Sequence, residues 1–448
     1  IMSLDTIYAL SSGRGRAGIA VIRLSGPQAW SAAKALTDVP PTNRRAVRCF
    51  LRNPETQETL DSCLCLGFLG PASFTGEDVV EFHIHGGLAV IAGVLEALEP
   101  LTDLRLSEPG EFTRRAFENG RIDLTEAESI GDLIDAETAA QRRQALRQGD
   151  GALARRCEEW RGGLVSALAY WEAALDFSDE ELPPELEVKT KQKISLLLDQ
   201  ILEKLDDGGA GERLRDGVRV VIVGPPNAGK SSLFNALVAR DAAIVSDIAG
   251  TTRDTLEAHL DVGGHPIIIT DTAGLRDVGD ALEQEGVRRA RDRAAEADLR
   301  IAVFDVADWP GCWAVYREIL RGETIVVINK IDLMASCQAE EVEGIRPHKI
   351  SVKTGLGISG LVEAIAAMAE RGIGLGGEPV ITRARHREAL QACAEELRGF
   401  LDSPNLNVAP EMAGEHLRRA THELARVTGR VDVEDLLDII FQDFCIGK

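Results

Sequence analysis

Basic residues are in short supply in this chain, where 50 Lys and Arg stand against 72 Asp and Glu and leave a formal net charge of −22. A surface of that sign does not grip nucleic acid nonspecifically, so any RNA contact is expected to be local or supplied by a partner. Paired cysteines are missing as well: the eight cysteines include no C-x-x-C, which removes the simplest zinc and dithiol readings. No apolar run approaches the roughly 20 residues that cross a bilayer, and no stretch near the N-terminus reads as a secretory signal. These absences predict a protein of a reducing compartment, expected to be cytoplasmic, with no membrane association. The ending Phe444–Lys448, F-C-I-G-K, places a cysteine where a lipid anchor could sit, but Gly447 and the terminal Lys448 do not fit a prenylation signal.

What is present is length and an ordinary apolar content, 448 residues at 44% hydrophobic, enough for about three domains. Strand signals bounded by Gly or Pro recur at Ile19 to Leu24, Cys63 to Phe68 and Val79 to His85, with a helical stretch from Leu88. Residues 2–120 therefore read as an α+β domain. Beyond Arg121 the spacing turns helical: Thr125 and Glu128 have capping-box spacing, followed by Ile130, Leu133 and Ile134. A Gly-rich break follows Asp206, strand and helix alternate from Val218 to about Met368, and a second break runs from Gly372 to Pro379. The pattern after Ile381 is helical again. The expected plan is an α/β module at 217–377 inserted into a helical domain made of 121–216 and 378–448.

Gly224, Pro225, Pro226, Asn227, Ala228, Gly229, Lys230 and Ser231 match G-x-x-x-x-G-K-[ST] between a strand, V-V-I-V, and a helix, S-S-L-F-N-A-L-V. Glycines let backbone N–H groups face phosphates, Lys230 offsets their charge, and the Ser231 hydroxyl can hold Mg²⁺. The base is indicated by N-K-I-D at Asn329 to Asp332, directly after the strand T-I-V-V-I, at the end of a strand where α/β sheets bind ligands. Asp332 can accept from guanine N1–H and N2–H₂, donors that adenine lacks. Asn329 is expected to brace neighbouring loops, Lys330 to lie over the base, and Ser351, Val352 and Lys353 to back the guanine oxygen. D-T-A-G, at Asp271, Thr272, Ala273 and Gly274, would reach Mg²⁺ and sense a γ-phosphate, and G-T-T-R-D from Gly250 to Asp254 would form the other switch. Leu275 stands where many GTPases carry a water-orienting glutamine.

These motifs, with G-R-G at Gly13 to Gly15, S-F-T-G-E-D at Ser73 to Asp78, P-G-E-F at Pro109 to Phe112 and the terminal F-C-I-G-K, make the chain resemble the MnmE (TrmE) family of tRNA-modification GTPases. The resemblance runs from Asp5 to Lys448. It implies an N-terminal folate-binding, dimer-forming domain, a discontinuous helical domain and an inserted Ras-like P-loop GTPase domain. It also implies a homodimer through the N-terminal domain and a hetero-oligomer with an FAD-dependent MnmG-family flavoprotein, with tRNA engaged through the complex.

Residue by residue, the resemblance makes Asn227, Ser246, Ile248 and Thr251 potassium ligands and puts Thr252 beside Ser231 on Mg²⁺. Ser232, Asp247, Ala249 and Gly250 complete the implied GTP contacts. Glu283 matches a carboxylate that orients the attacking water; without the family it reads as a solvated glutamate at a helix start. A tetrahydrofolate, as the 5-formyl or 5,10-methylene derivative, is implied at Arg23, Glu81, Arg121 and Lys448. Arg121 stands where the family usually has lysine. Leu437, Ile440, Phe441 and Phe444 recur at helical intervals with Cys445 at their edge, so the thiol could simply pack there; the resemblance implies it in the modification chemistry instead, with Lys448 bringing an ammonium that favours the thiolate.

His83 and His85 share a strand face and Cys63 and Cys65 another, so a zinc site competes with packing or folate-pocket roles, against the ligand spacing. Arg142, Arg143 and Arg147 read as a solvated helix face. The expected activity is potassium-dependent GTP hydrolysis in a complex that adds an aminomethyl or carboxymethylaminomethyl group to C5 of wobble uridine. A ribosome-assembly GTPase and a folate-dependent one-carbon transferase remain the rival readings.

Overall fold

The computed structural model describes residues 5–13, 15–176, 184–240, 256–271, 294–295, 297–317, 322–334, 341–342, 344–373, 381–403, 410–431, 437, 440–441, 444 and 446–447. Contacts divide the chain into two units, one of Ile1–Gly131, Ala154–Arg161 and His422–Lys448, the other of Asp132–Leu153 and Gly162–Thr421.

In the first unit, strands β1 (Thr6–Leu10), β2 (Ala17–Ser25), β3 (Val47–Arg52), β4 (Thr59–Phe68), β5 (Val79–Gly86) and β6 (Leu104–Leu106) form one sheet in the order β3-β4-β5-β2-β1-β6. The two-residue period explains its faces. Along β5, Val80, Phe82 and Ile84 point into a core shared with Ile22, Leu24 and Leu51, while Glu81, His83 and His85 point the other way. Helices α1 (Ala29–Leu36) and α2 (Leu88–Leu98) supply that core with Ala32, Ala33, Leu36, Val94 and Leu98. On the opposite face, α3 (Glu111–Glu118) lays Phe112 against Ile7 and Ala9 of β1.

This parity removes the zinc arrangement. Cys63 and Cys65 lie in the core beside Cys49, whose Sγ is 3.6 Å from that of Cys63. His83 is paired across β4 with Leu64, one residue out of step with both cysteines, and so occupies the other side of the sheet. His83 and His85 contact Glu81 and Asp61 instead.

Helix α4 (Leu124–Asp135) starts where the periodicity predicts, but its cap differs from the expectation. Asp123 Oδ1 accepts the Glu126 N–H and Glu126 Oε2 accepts the Asp123 N–H, so the reciprocal box is Asp123 with Glu126. Thr125 and Glu128, spaced alike two residues further on, are wholly buried. Leu124 and Ala127 of this helix pack with Leu437 and Phe441, and Phe444 joins the edge of the cluster, as the apolar spacing near the end of the chain predicts.

The second unit contains α5 (Ala139–Gly149), on which Arg142, Arg143 and Arg147 are exposed, and α7 (Pro184–Leu205) and α8 (Ala210–Asp216). Helix α6 (Ala152–Asp176) and the helix Pro410–Thr428 contribute to both units. Its sheet runs β12-β11-β10-β7-β9-β8, with β7 Val218–Val223, β8 Leu256–Val262, β9 His265–Asp271, β10 Leu299–Asp305, β11 Thr324–Asn329 and β12 His348–Lys349. All neighbours are parallel except β8 with β9. Near-continuous apolar strands such as V-R-V-V-I-V and L-R-I-A-V-F are what a parallel sheet covered on both faces requires. Helices α9 (Lys230–Arg240) and Ile358–Ile373 pack on one face, and Trp313 and Tyr316 lie with Phe304 in the cluster on the other.

Candidate functional site

The strand β7 delivers the chain to Gly224, whose φ of 145° and close approach to the Val303 carbonyl leave no room for a Cβ. The loop then turns through Asn227, held left-handed at φ 59°, and enters α9 at Lys230. Lys230 Nζ donates to the Gly224 and Pro225 carbonyls at 3.0 and 2.9 Å, so its ammonium folds over the loop. Ser231 and Ser232 stand exposed on the first turn of α9, where N–H groups and the helix dipole favour an anion. Asp271 ends β9 nearly fully buried, and its partner in register is Ile222 of β7.

At the carboxyl end of β11, Asn329 is 3% exposed and ties two loops together. Its Nδ2 donates to the Ala228 carbonyl at 2.9 Å and its Oδ1 accepts the Val352 N–H at 3.1 Å. A Cβ on Gly229 would overlap the same amide group. Ser351 Oγ donates to Asp332 Oδ1 at 2.6 Å, leaving the carboxylate aimed but not consumed, and Lys353 is exposed beside it. Lys330, left-handed at φ 63°, sends Nζ to Asp305 Oδ2 at 2.7 Å. Burial raises the Asp305 carboxyl, but Lys330 and the Ala307 N–H outweigh it and hold the group below its ordinary value. The structure therefore brings Asn227 to Ser232, Asp271, Asn329, Lys330, Asp332 and Ser351 to Lys353 to the strand ends of one sheet. Ser246, Asp247, Ile248, Ala249, Gly250, Thr251, Thr252, Thr272, Ala273, Gly274, Leu275 and Glu283 lie outside the described residues.

A second polar site occupies the first unit's sheet, on the face of Glu81. Arg23 Nε and Glu81 Oε1 are 2.9 Å apart across the β2–β5 pair, and His83 Nε2 is 3.3 Å from Glu81 Oε2. The Arg23 guanidinium lies 5.7 Å from the Phe74 ring and 5.6 Å from Phe112, which are the aromatics of S-F-T-G-E-D and P-G-E-F. Arg121 is exposed, with its stem approaching Gly76 of the same loop. The tail reaches this unit too: Ile446 makes a β-bridge to Pro109, and Gly447, at φ 97°, packs against the Leu10 carbonyl so closely that a Cβ has no space. Cys445 and Lys448 lie outside the described residues.

Sequence reasoning missed the charged frame under this site. Arg115, 5% exposed, reaches Glu77 at 3.2 Å and Asp5 and Glu111 at 2.9 Å each, and Arg105 reaches Asp5 and Glu111 at 2.5 Å. Glu77 also accepts from Ser25 Oγ at 2.7 Å, and Ser25 Oγ lies 2.7 Å from Thr75 Oγ1. Glu77 and Glu111 belong to quoted motifs, and that was the only signal they gave. Asp305 was missed as well, since a lone aspartate after an apolar strand carries no pattern.

A family model described as the MnmE helical domain matches residues 124–445, and one described as the GTP-binding protein TrmE N-terminus matches 6–121. The chain belongs to the MnmE family. It is 55% identical over 448 residues to a protein of Parvibaculum lavamentivorans named tRNA modification GTPase MnmE, covering 99% of this chain and 100% of that one. A Paramagnetospirillum magneticum protein of the same name is 52% identical, again over 99% of this chain and 100% of its own length. A Danio rerio protein named 5-taurinomethyluridine-[tRNA] synthase subunit GTPB3, mitochondrial, is 46% identical over 99% of this chain and 93% of that one. The N-terminal match falls within the first unit, which carries Arg23 and Glu81, while the helical-domain match spans the P-loop and N-K-I-D. Among the described residues, no helix is long and apolar enough to cross a membrane.

Proposed function

We propose that this MnmE-family chain is a GTP hydrolase of tRNA modification, working with an FAD-dependent MnmG-family flavoprotein. Together they would add an aminomethyl or carboxymethylaminomethyl group to C5 of wobble uridine in certain tRNAs. The observation that carries the GTP reading is Asp332, oriented by Ser351 beside an Asn329 that braces the P-loop. An aimed carboxylate at that strand end has guanine donors to pair with and is left unpaired by adenine. The named relatives support the tRNA reading over ribosome assembly or free one-carbon transfer.

The function calls for two cations, and the family resemblance assigns oxygen donors to each. The exposed Ser231 hydroxyl on the first turn of α9, with Thr252, would hold Mg²⁺, and Asn227, Ser246, Ile248 and Thr251 would hold K⁺. Potassium supplies positive charge where other GTPases use an arginine. This chain's own residues fix the nucleotide: Lys230 offsets phosphate charge, Asp332 reads the base, and Glu283 would orient water. In the N-terminal domain, Arg23, beside the Phe74 and Phe112 rings, offers a cation and Glu81 a carboxylate, chemistry that suits the acidic tail and N–H-bearing ring of a tetrahydrofolate. That group supplies the one-carbon unit, with Arg121 and Lys448 as further cations, and the same domain would pair two copies of the chain.

Steady-state hydrolysis in matched K⁺ and Na⁺ tests the cation assignment. An arginine finger is worth about 10³ to 10⁵ in rate, so Na⁺ is expected to lose a large part of that, and equal rates would overturn the cage. Glu283→Ala should suppress hydrolysis with GTP affinity nearly intact. Cys445→Ser should abolish wobble-uridine modification while GTP turnover stays; normal modification would make Cys445 a packing residue.

A further inference from the structure

Lys330 is fixed at both ends before any nucleotide arrives. Its backbone is held left-handed, and its ammonium sits 2.7 Å from Asp305 Oδ2, so the apolar stem between them has one path. Asp305 is itself immobilised. It ends β10 directly opposite Asn329 of β11, and its Oδ1 accepts the Ala307 N–H at 3.0 Å, which turns Oδ2 toward the lysine. We propose that Asp305 is a positioning residue for guanine recognition, holding Lys330 so that the lysine stem forms a preset wall for the base. Without Asp305 the ammonium must find water or swing, and the nucleotide has to order a long flexible side chain on binding. The inference rests on the guanine-site reading given above.

The test uses the full chain and displacement of N-methylanthraniloyl-GDP by GDP, GTP and ADP. Asp305→Asn keeps an oxygen for the Ala307 N–H and removes only the charge that faces Lys330. Freeing one rotamer-rich side chain corresponds to a loss of roughly three- to tenfold in affinity, and the loss should be the same factor for GDP and GTP because the base side alone is touched. Asp305→Glu, which returns a carboxylate within reach of the ammonium, should recover part of it. Lys330→Met supplies the discriminating readout. If Asp305 acts through the lysine, Asp305→Asn with Lys330→Met binds no more weakly than Lys330→Met alone. Wild-type affinity in Asp305→Asn, or losses that multiply in the double variant, overturns the inference. A wild-type chain that binds ADP as tightly as GDP would instead overturn the guanine reading on which it stands.

Discussion

Replacing Arg115 by methionine tests whether the first unit depends on its buried charges. The substitution keeps an apolar stem of similar length and deletes a guanidinium that is 5% exposed. Asp5 and Glu111 retain Arg105. Glu77, 9% exposed, keeps the Ser25 hydroxyl but loses Arg115. Removing one partner of a buried pair strands the other charge at a cost of about 3 to 5 kcal/mol. For a unit of this size each kcal/mol moves the melting point by about 2 to 4 °C, so the first unit should melt roughly 6 °C lower or more. Circular dichroism follows the loss, and hydrogen exchange of the β1, β2 and β5 amides assigns it to this sheet. The control is Glu77→Gln added to Arg115→Met, which removes the stranded charge and should restore about half of the stability or more. A single variant within 1 kcal/mol of wild type, or a double variant as unstable as the single, would refute the argument; the first bound is about a third of the smallest expected cost.

The same frame fixes an acid response. Burial pushes the Glu111 carboxyl up, but Arg105, the Glu108 N–H and Arg115 bring it below its ordinary 4.5. A depressed carboxylate contributes stability that is fully present above its unfolded value and is lost as the pH falls through the folded one. Unfolding measured below pH 4.5 should therefore show a loss that Glu111→Gln no longer shows. Gly447→Ala demands a left-handed alanine against the Leu10 carbonyl, a strain of about 1 to 2 kcal/mol, and should increase exchange at Ile446 with nucleotide affinity unchanged. Asp332→Ala should weaken GTP by roughly 30-fold or more, as truncating one side of a hydrogen-bonded charge costs about 2 to 5 kcal/mol.

The P-loop and N-K-I-D were legible because each is a short run whose neighbours in space are its neighbours in sequence, flanked by strands of strong apolar character. The start of α4 was legible and its cap was not: Asp123 with Glu126 and Thr125 with Glu128 share one spacing, and only the backbone distinguishes which pair begins just before the helix. Cys63, Cys65, His83 and His85 each alternate correctly, yet alternation within a strand says nothing about register between strands. The Arg115 frame was invisible for a related reason. Glu111 is one turn back on the same helix, but Glu77 and Asp5 lie 38 and 110 residues away in the sequence, and charge carries no periodicity by which to find them. Lys330 was assigned to the base while Asp305, which holds it, was not, since their contact depends on β10 and β11 being parallel neighbours.

The bridge from Ile446 to Pro109 and the seat of Gly447 on Leu10 bear on the order in which the molecule is finished during synthesis. Both sheets are encoded upstream of the tail and can close while the ribosome is still translating the last helices. Ile446 and Gly447 reach Pro109 and Leu10 of the first unit only after the strands of its sheet have been made. A chain cut short near its end would carry two folded sheets and a nucleotide site, yet could not present the tail to the N-terminal domain.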